Sequence, residues 1–277
     1  MIERISKWVA ILVLSLVSVF PIFWIFLTSI KTDAEVVNIP PSWFFQPTFD
    51  HYYSIIFHGG GAEVAYAFEL WSSFLNSIVI SLGTTALAVA IGFPAAYSIS
   101  RFNTGGRPLL SWILSFRMLP PIVFLIPMFI LYQLIGLMDT KIGLVLIYLT
   151  FNVPLAVFIL KGFLDDMPRD YEEAAMVDGC SRIQSLWRIA LPMSGPGIIA
   201  VSIIIFLFSF NEFMFAYVLT TRNAVTLTAK AAVFITEYTF LWADLAAAMI
   251  LMIVPMMVAT ILLQGQIIKG LRTGLKA

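Results

Sequence analysis

The sequence predicts an all-α membrane protein with six transmembrane helices, and three observations lead there. Of the 277 residues, 60% are hydrophobic and 12% are charged, with a mean hydropathy of +0.95. Uncharged runs of spanning length recur along the whole chain, whereas barrel strands would be short and alternating. The densest charge lies in one internal stretch, KGFLDDMPRDYEEAAMVDGCSRIQSLWRIALPMSGP from Lys161 to Pro196, with long apolar segments on either side. A stretch this polar between two spans must emerge into water.

The first span covers about Trp8 to Ile30. It is uncharged and too long for a signal-peptide core, and no small-x-small site precedes Lys31, so an uncleaved helix is expected. Residues 31 to 71 form an aqueous segment broken by Pro40, Pro41, Pro47 and Gly59 to Gly61, suited to short helices and turns. Span two runs from about Ser72 to Ser100 and span three from about Leu109 to Ile135. Pro120 and Pro121 remove two N–H donors in mid-span, so span three must kink. Span four covers about Ile142 to Leu160, span five about Gly197 to Leu219 and span six about Leu241 to Ile268. Three regions result: residues 1–71, a core of 72–268 containing the loop 161–196, and a tail of 269–277.

The Lys and Arg pattern orients these spans. One side carries Arg4, Lys7, Arg101, Arg107, Lys161, Arg169, Arg182, Arg188, Lys269, Arg272 and Lys276; the other carries Lys31, Lys141, Arg222 and Lys230. Both termini and the polar loop are therefore expected in the cytoplasm. Arg117 falls inside span three.

Within the polar loop the residues read as two short helices and a hinge. Pro168 suits a first helical turn, and Asp170, Glu172 and Glu173 follow where the helix dipole favours negative charge. Gly179 suits a left-handed helix end. Ser181 and Gln184 have capping-box spacing, and Ile183, Leu186, Trp187 and Ala190 share one face of the second helix. Leu191 precedes Pro192 and is biased out of helix. A rigid element of this kind in water is either a docking surface or an amphipathic linker on lipid headgroups.

Zero net charge gives no electrostatic case for nucleic acid. The single cysteine, Cys180, excludes an intrachain disulfide and a cysteine metal cluster. His51 and His58 share an aqueous loop, where no metal site is expected. Neither a GxxxxGK[ST] phosphate loop nor an HExxH or GxSxG motif is present. The chain is thus not expected to be an enzyme or to hold a cofactor.

Glu173, Ala174 and Ala175, then Asp178 and Gly179, then Ile189, Leu191 and Pro192 resemble, in order and spacing, the EAA loop of binding-protein-dependent ABC importer permeases. FLNSIVIS, AAYSISRF, RMLPPIVFLIP, GLMDT, NEFMFA and GLRTGLKA are similar to segments of carbohydrate-importer permeases, of the maltose-transporter subunit kind. The resemblance covers most of the chain. Two departures are Cys180, where alanine is common, and Phe210, where tryptophan often precedes the Asn-Glu pair. The resemblance implies the type I ABC importer permease fold in the bacterial or archaeal inner membrane. It implies two ATPase subunits that hold ATP and Mg, a second and different permease, and a periplasmic or lipid-anchored solute-binding protein. In that family the loop sits in a cleft of the ATPase. The implied substrate is a sugar, polyol or related derivative.

Polar residues inside lipid are costly and mark candidate sites. Asn152 lies about ten residues into span four, near mid-membrane at roughly 1.5 Å per residue. Tyr148 lies one turn away and shares its face. Asn211 and Glu212 lie in span five, and Arg117 precedes the double proline. Amides, a carboxylate and rings suit a sugar's hydroxyls and C–H faces. Each group could instead satisfy a kinked backbone or a neighbouring helix, and Arg117 could pair with Glu212 or reach the inner interface. Two other readings are an ion-coupled carrier using Arg117 and Glu212 as a relay, and a membrane-embedded enzyme. The second lacks a nucleophile–base set.

Overall fold

Hydrocarbon offers backbone groups no hydrogen-bond partner, so a spanning chain must satisfy them within helices. A computed structural model describes residues 2–58, 70–232, 242–254, 257 and 261, and among these there is no β-strand. Three helices are long and apolar enough to cross a membrane: Ser6–Ser29, Trp71–Phe102 and Lys141–Asp166. Two bent pairs, if each is one span, raise the number to five. The sixth expected span starts as an apolar helix, Trp242–Val254; its continuation and the basic tail lie outside the described residues, as do Gly59 to Gly61.

The chain divides into two units, residues 1–73 with 230–257 and residues 74–229 with 258–277. In the first unit, α1 (Ile2–Ser29) carries Pro21 without a break, and none of its most apolar window is buried. The aqueous segment that follows contains α2 (Asp33–Val36), α3 (Asp50–Tyr53) and a π-turn, Ser54–His58. It folds back on the end of α1. Thr48 N–H donates to the Ile30 carbonyl at 2.9 Å, and the Ser29 and Tyr52 hydroxyls lie 2.6 Å apart. Ile55 packs with Leu245, Ala247 and Ala248 of the apolar helix 242–254. His51 fastens the same elements, with Nδ1 at 2.7 Å from Asp244 Oδ1 and Nε2 at 3.0 Å from the Lys31 carbonyl oxygen.

The second unit is built on α4 (Leu70–Phe102), α5 (Gly106–Met118), α6 (Ile122–Ile135) and α7 (Lys141–Asp166). The polar loop supplies α8 (Asp170–Val177) and α9 (Arg182–Ser185), then a π-turn, Leu186–Ala190, and α10 (Leu191–Met193). The chain continues as α11 (Gly195–Phe210), α12 (Met214–Leu219) and α13 (Leu227–Ala231). One core gathers Phe93, Ala96, Leu160, Leu164, Ala190 and Val201. Two helices approach closely beside it at Gly92, where an added Cβ would stand 2.6 Å from Ala156 Cβ; small residues of this kind let membrane helices approach. The other core joins Ile80, Tyr132, Leu144, Tyr148, Phe215 and Leu219.

Outside the spans, Asp139 (φ 55°) turns the α6–α7 connection. Its carboxylate accepts from the backbone N–H groups of Thr221, Arg222, Asn223 and Ala224 at 2.9–3.1 Å. Burial pulls the Asp139 carboxyl up, but these N–H donors prevail and hold it below its ordinary value of 3.8. Asn76 Nδ2 fastens the same loop from α4, donating to the Asn223 and Val225 carbonyls, each at 3.1 Å.

The expected kink in span three is a break. α5 and α6 meet at 86°. Leu119, before Pro120, is extended (ψ 131°), the bias a following proline imposes. Single prolines at 94, 127 and 154 stay inside their helices. Span five, read as continuous from about Gly197 to Leu219, also breaks: α11 ends at Phe210 and α12 starts at Met214. No proline is responsible there. Asn211 Nδ2 donates to the Leu207 carbonyl at 2.9 Å. Glu212 takes the N–H groups of Phe215 and Ala216 at 3.0 and 3.2 Å. Such side-chain bonds compete with the helix ladder.

His51 gives this fold a pH dependence. The Asp244 hydrogen bond raises its pKa above 6.5, against burial, with Asp33 and the Lys31 carbonyl adding to the rise. The contact's stabilisation is full below that ordinary value and fades as pH rises through the raised one. Thermal unfolding of the purified protein, followed from mildly acid to mildly alkaline pH, should show the midpoint falling across this window. Asp244→Asn should flatten that part of the profile.

Candidate functional site

The loop after α7 forms a rigid elbow. Helix α8 ends in a left-handed Gly179 (φ 91°). The Gly179 N–H donates to the Met176 carbonyl at 3.1 Å and the Cys180 N–H to that of Ala175 at 3.0 Å, closing orphan carbonyls. The capping box is formed: Gln184 N–H donates to Ser181 Oγ at 3.3 Å, and Ser181 N–H to Gln184 Oε1 at 2.8 Å. Glu173, Ala174, Ala175 and Asp178 lie on α8 and its end, and Ile189, Leu191 and Pro192 on the second arm.

Three expectations need correction. Pro168 precedes α8 by two residues and is not in its first turn. Leu191 and Pro192 do not leave the helix, which continues to Met193; the chain turns afterwards, by 74° into α11. The π-turn before them explains this, because its widened ladder, with Leu191 N–H on the Leu186 carbonyl, accommodates a residue that lacks an N–H. The extra residue also rotates the arm's faces, so the four residues expected on one face separate. Ala190 is buried, whereas Ile183 and Trp187 are exposed. Together with Tyr171, Met176 and Val177 they leave the elbow an apolar outer surface.

Glu172 is the residue whose role the sequence hid. Its side chain is buried, accepting from the Tyr97 hydroxyl at 2.6 Å and from Arg101 Nε at 2.7 Å. The same guanidinium donates to the carbonyls of Leu164 at 2.7 Å and Met167 at 3.2 Å, capping the end of α7. Ser100 Oγ donates to Asp165 at 2.6 Å. The C-terminal end of α4 is thus fixed to both α7 and α8. AAYSISRF carried the signal: Tyr97 and Arg101, four residues apart, face one way on a helix.

The second feature is a cavity of about 250 Å³. It gathers Arg117, Tyr148, Asn152 and Glu212, with Pro121, Phe151, Phe208, Ser209 and Phe215. Asn211 is not in its lining; it is exposed and bonds to its own helix. Tyr148 donates to Glu212 Oε2 at 2.8 Å. Asn152 Nδ2 donates to the Tyr148 carbonyl at 2.9 Å and to Ser209 Oγ at 3.3 Å, while Oδ1 is buried with no partner among the described residues. Arg117 does not pair with Glu212. Its Nη1 donates to the Phe151 carbonyl at 3.0 Å, and its guanidinium lies 4.8 Å from the Phe208 ring centre. Arg117 and Glu212 each serve backbone groups, so the relay that an ion-coupled carrier needs is not formed.

Breaking the buried Glu172–Arg101 pair from one side strands a charge, at a cost of about 3–5 kcal/mol. Arg101→Leu should therefore lower the thermal midpoint sharply. Tyr97→Phe, which removes one hydrogen bond to the carboxylate and leaves the ion pair in place, should cost less, about 1.5–3 kcal/mol. Equal losses for the two variants in calorimetry would contradict the assigned geometry.

Residues 88–273 match the family described as binding-protein-dependent transport system inner membrane component. The chain is 35% identical over 264 residues to the trehalose transport system permease protein of Mycobacterium tuberculosis, covering 93% of this chain and 92% of that one. It is 31% identical over 272 residues to the sulfoquinovosyl glycerol transport system permease protein of Agrobacterium fabrum, covering 97% and 92%. A trehalose/maltose permease protein of Thermococcus litoralis is 29% identical over 276 residues, covering 99% and 96%. Among solved structures, a bacterial ABC transporter involved in alginate import shares the fold, with a TM-score of 0.75 at 21% identity over 95% of this chain and 96% of that chain. The chain belongs to the binding-protein-dependent transport system inner membrane component family: it is a multi-pass inner-membrane permease of an ABC importer, not an enzyme, working with a separate ATPase and a solute-binding protein.

Proposed function

We propose that this permease carries a sugar, polyol or related sugar derivative by alternating access, driven through the elbow Glu173–Pro192. It pairs with a second, different permease and two ATPase subunits, which hold the ATP and Mg; this chain holds no cofactor. Both termini and the elbow face the cytoplasm. The solute-binding protein, periplasmic or lipid-anchored, delivers substrate on the other side.

The observation that carries this reading is the elbow. Its two arms are locked internally by the left-handed Gly179 turn and the Ser181–Gln184 box. It is tied to α4 and α7 through Glu172 and Arg101. A push on its apolar outer surface is therefore passed into spans as a rigid motion. The relatives' names support a sugar, and so does the cavity. The unpartnered Asn152 Oδ1 suits a hydroxyl donor, and the rings of Phe151, Phe208 and Phe215 suit C–H faces. Irregular backbone at membrane depth is tolerated where it lines a cavity, and both Pro121 and Glu212, at the two helix breaks, line this one. Discontinuous helices of this kind mark substrate sites in other transporters.

Coupling is tested at Gly179, where an added Cβ would meet nothing within 4 Å, so substitution acts on the backbone alone. A side chain in the left-handed region costs about 1–2 kcal/mol. In the assembled importer, Gly179→Val and Glu173→Lys should leave membrane insertion intact and ATPase activity running while uptake falls about tenfold. Normal uptake in both would overturn the coupling role.

The substrate path is tested at Asn152. Asn152→Leu should raise the half-saturating substrate concentration about tenfold, whereas Ser209→Ala, losing an internal bond only, should not. Equal effects in transport assays would make Asn152 a packing residue.

A further inference from the structure

Lys31 directly follows the apolar run of α1, yet only 4% of its surface is exposed. Its Nζ lies 5.3 Å from the Trp24 ring centre and 5.0 Å from that of Phe45. Among the described residues, no carboxylate, carbonyl or hydroxyl oxygen accepts a hydrogen bond from it. Ring faces offset part of the cost of burying an ammonium group, but among the described residues no anion faces it. Lys31 lines a cavity of about 300 Å³ with Trp24, Thr28, Trp242, Leu245 and Met249, all within the first unit. The Thr28 hydroxyl donates to the Trp24 carbonyl at 2.9 Å and keeps its acceptor capacity.

Among the described lining residues Lys31 is the one cation in a mostly apolar wall, which suits an amphiphile better than a small hydrated anion. Its depth is right for a headgroup. Lys31 lies two residues beyond the end of a 28-residue helix, where the apolar stretch stops, and Trp24 and Trp43 meet edge-on at 5.5 Å, as tryptophans do at membrane interfaces. The surface of α1 beside it has none of its most apolar window buried, which leaves room for an acyl chain along the helix. We propose that this cavity binds the phosphate headgroup of an anionic phospholipid, with Lys31 as counter-charge and the acyl chains lying against α1.

Native mass spectrometry of the intact purified importer, exchanged into mixed micelles of detergent with phosphatidylglycerol or phosphatidylcholine, tests this. Wild type should retain phosphatidylglycerol about tenfold better than phosphatidylcholine, as expected for one charge-assisted contact. Lys31→Gln should lose that preference and Lys31→Arg keep it. Ala246→Phe, which fills the cavity and leaves Lys31 in place, should also lose it. If Lys31→Gln fails to assemble, the wild-type preference and Ala246→Phe decide. Equal phosphatidylglycerol retention in wild type, Lys31→Gln and Ala246→Phe would overturn the proposal. So would equal retention of the two lipids by wild type. Displacement of phosphatidylglycerol by millimolar inorganic phosphate would make the site one for a free anion and overturn it as well.

Discussion

A buried carboxylate at Glu172 joins the part of this permease that lies in lipid to the part that lies in water. With 5% of the Arg101 side chain and 6% of the Glu172 side chain exposed, the pair is beyond the reach of salt screening. Its desolvation cost is offset because each guanidinium nitrogen donates a hydrogen bond: Nε to Glu172, and Nη1 and Nη2 to carbonyls at the C-terminal end of α7. A linkage made of one salt bridge could swivel. The planar guanidinium, bonded in three directions, holds angle as well as distance. The elbow therefore moves with α4 and α7 or does not move at all.

Hydrocarbon sets the other constraint. A helix that breaks in lipid exposes backbone groups that water cannot satisfy. The break at Asn211–Phe213 is supported from within: Glu212 takes two N–H groups of α12. Arg117 donates to a carbonyl of the unbroken α7. The charged residues that look most like a relay are thus engaged with backbone groups and not with each other. What they leave open is the cavity itself, with one amide oxygen unsatisfied.

Much of this was legible in the sequence, for a physical reason. Composition and run length fix membrane helices because lipid admits few alternatives. Local chemistry fixes the elbow: Gly179 and the Ser181–Gln184 spacing act through neighbours in the chain and behave as read. Contacts between segments distant in sequence were less accessible. Glu172 looked like a dipole partner for its own helix, and its true partners lie 71 and 75 positions away. The Asp244 partner of His51, 193 positions distant, had no local signal. Pro192 misled because a single proline is read against an α-helical ladder, and the π-turn preceding it changes that ladder. The break at Asn211 was missed for the opposite reason: no proline marks it, only side chains short enough to reach their own backbone.

Cys180 sits at the turn where the elbow's arms meet, and it is the one cysteine in the chain. Its backbone N–H is tied to Ala175, while its side chain is partly accessible. A spin label or fluorophore attached there would need no background thiols removed from this subunit. Because both arms are internally locked, such a reporter would follow the orientation of the whole elbow and not the motion of one arm.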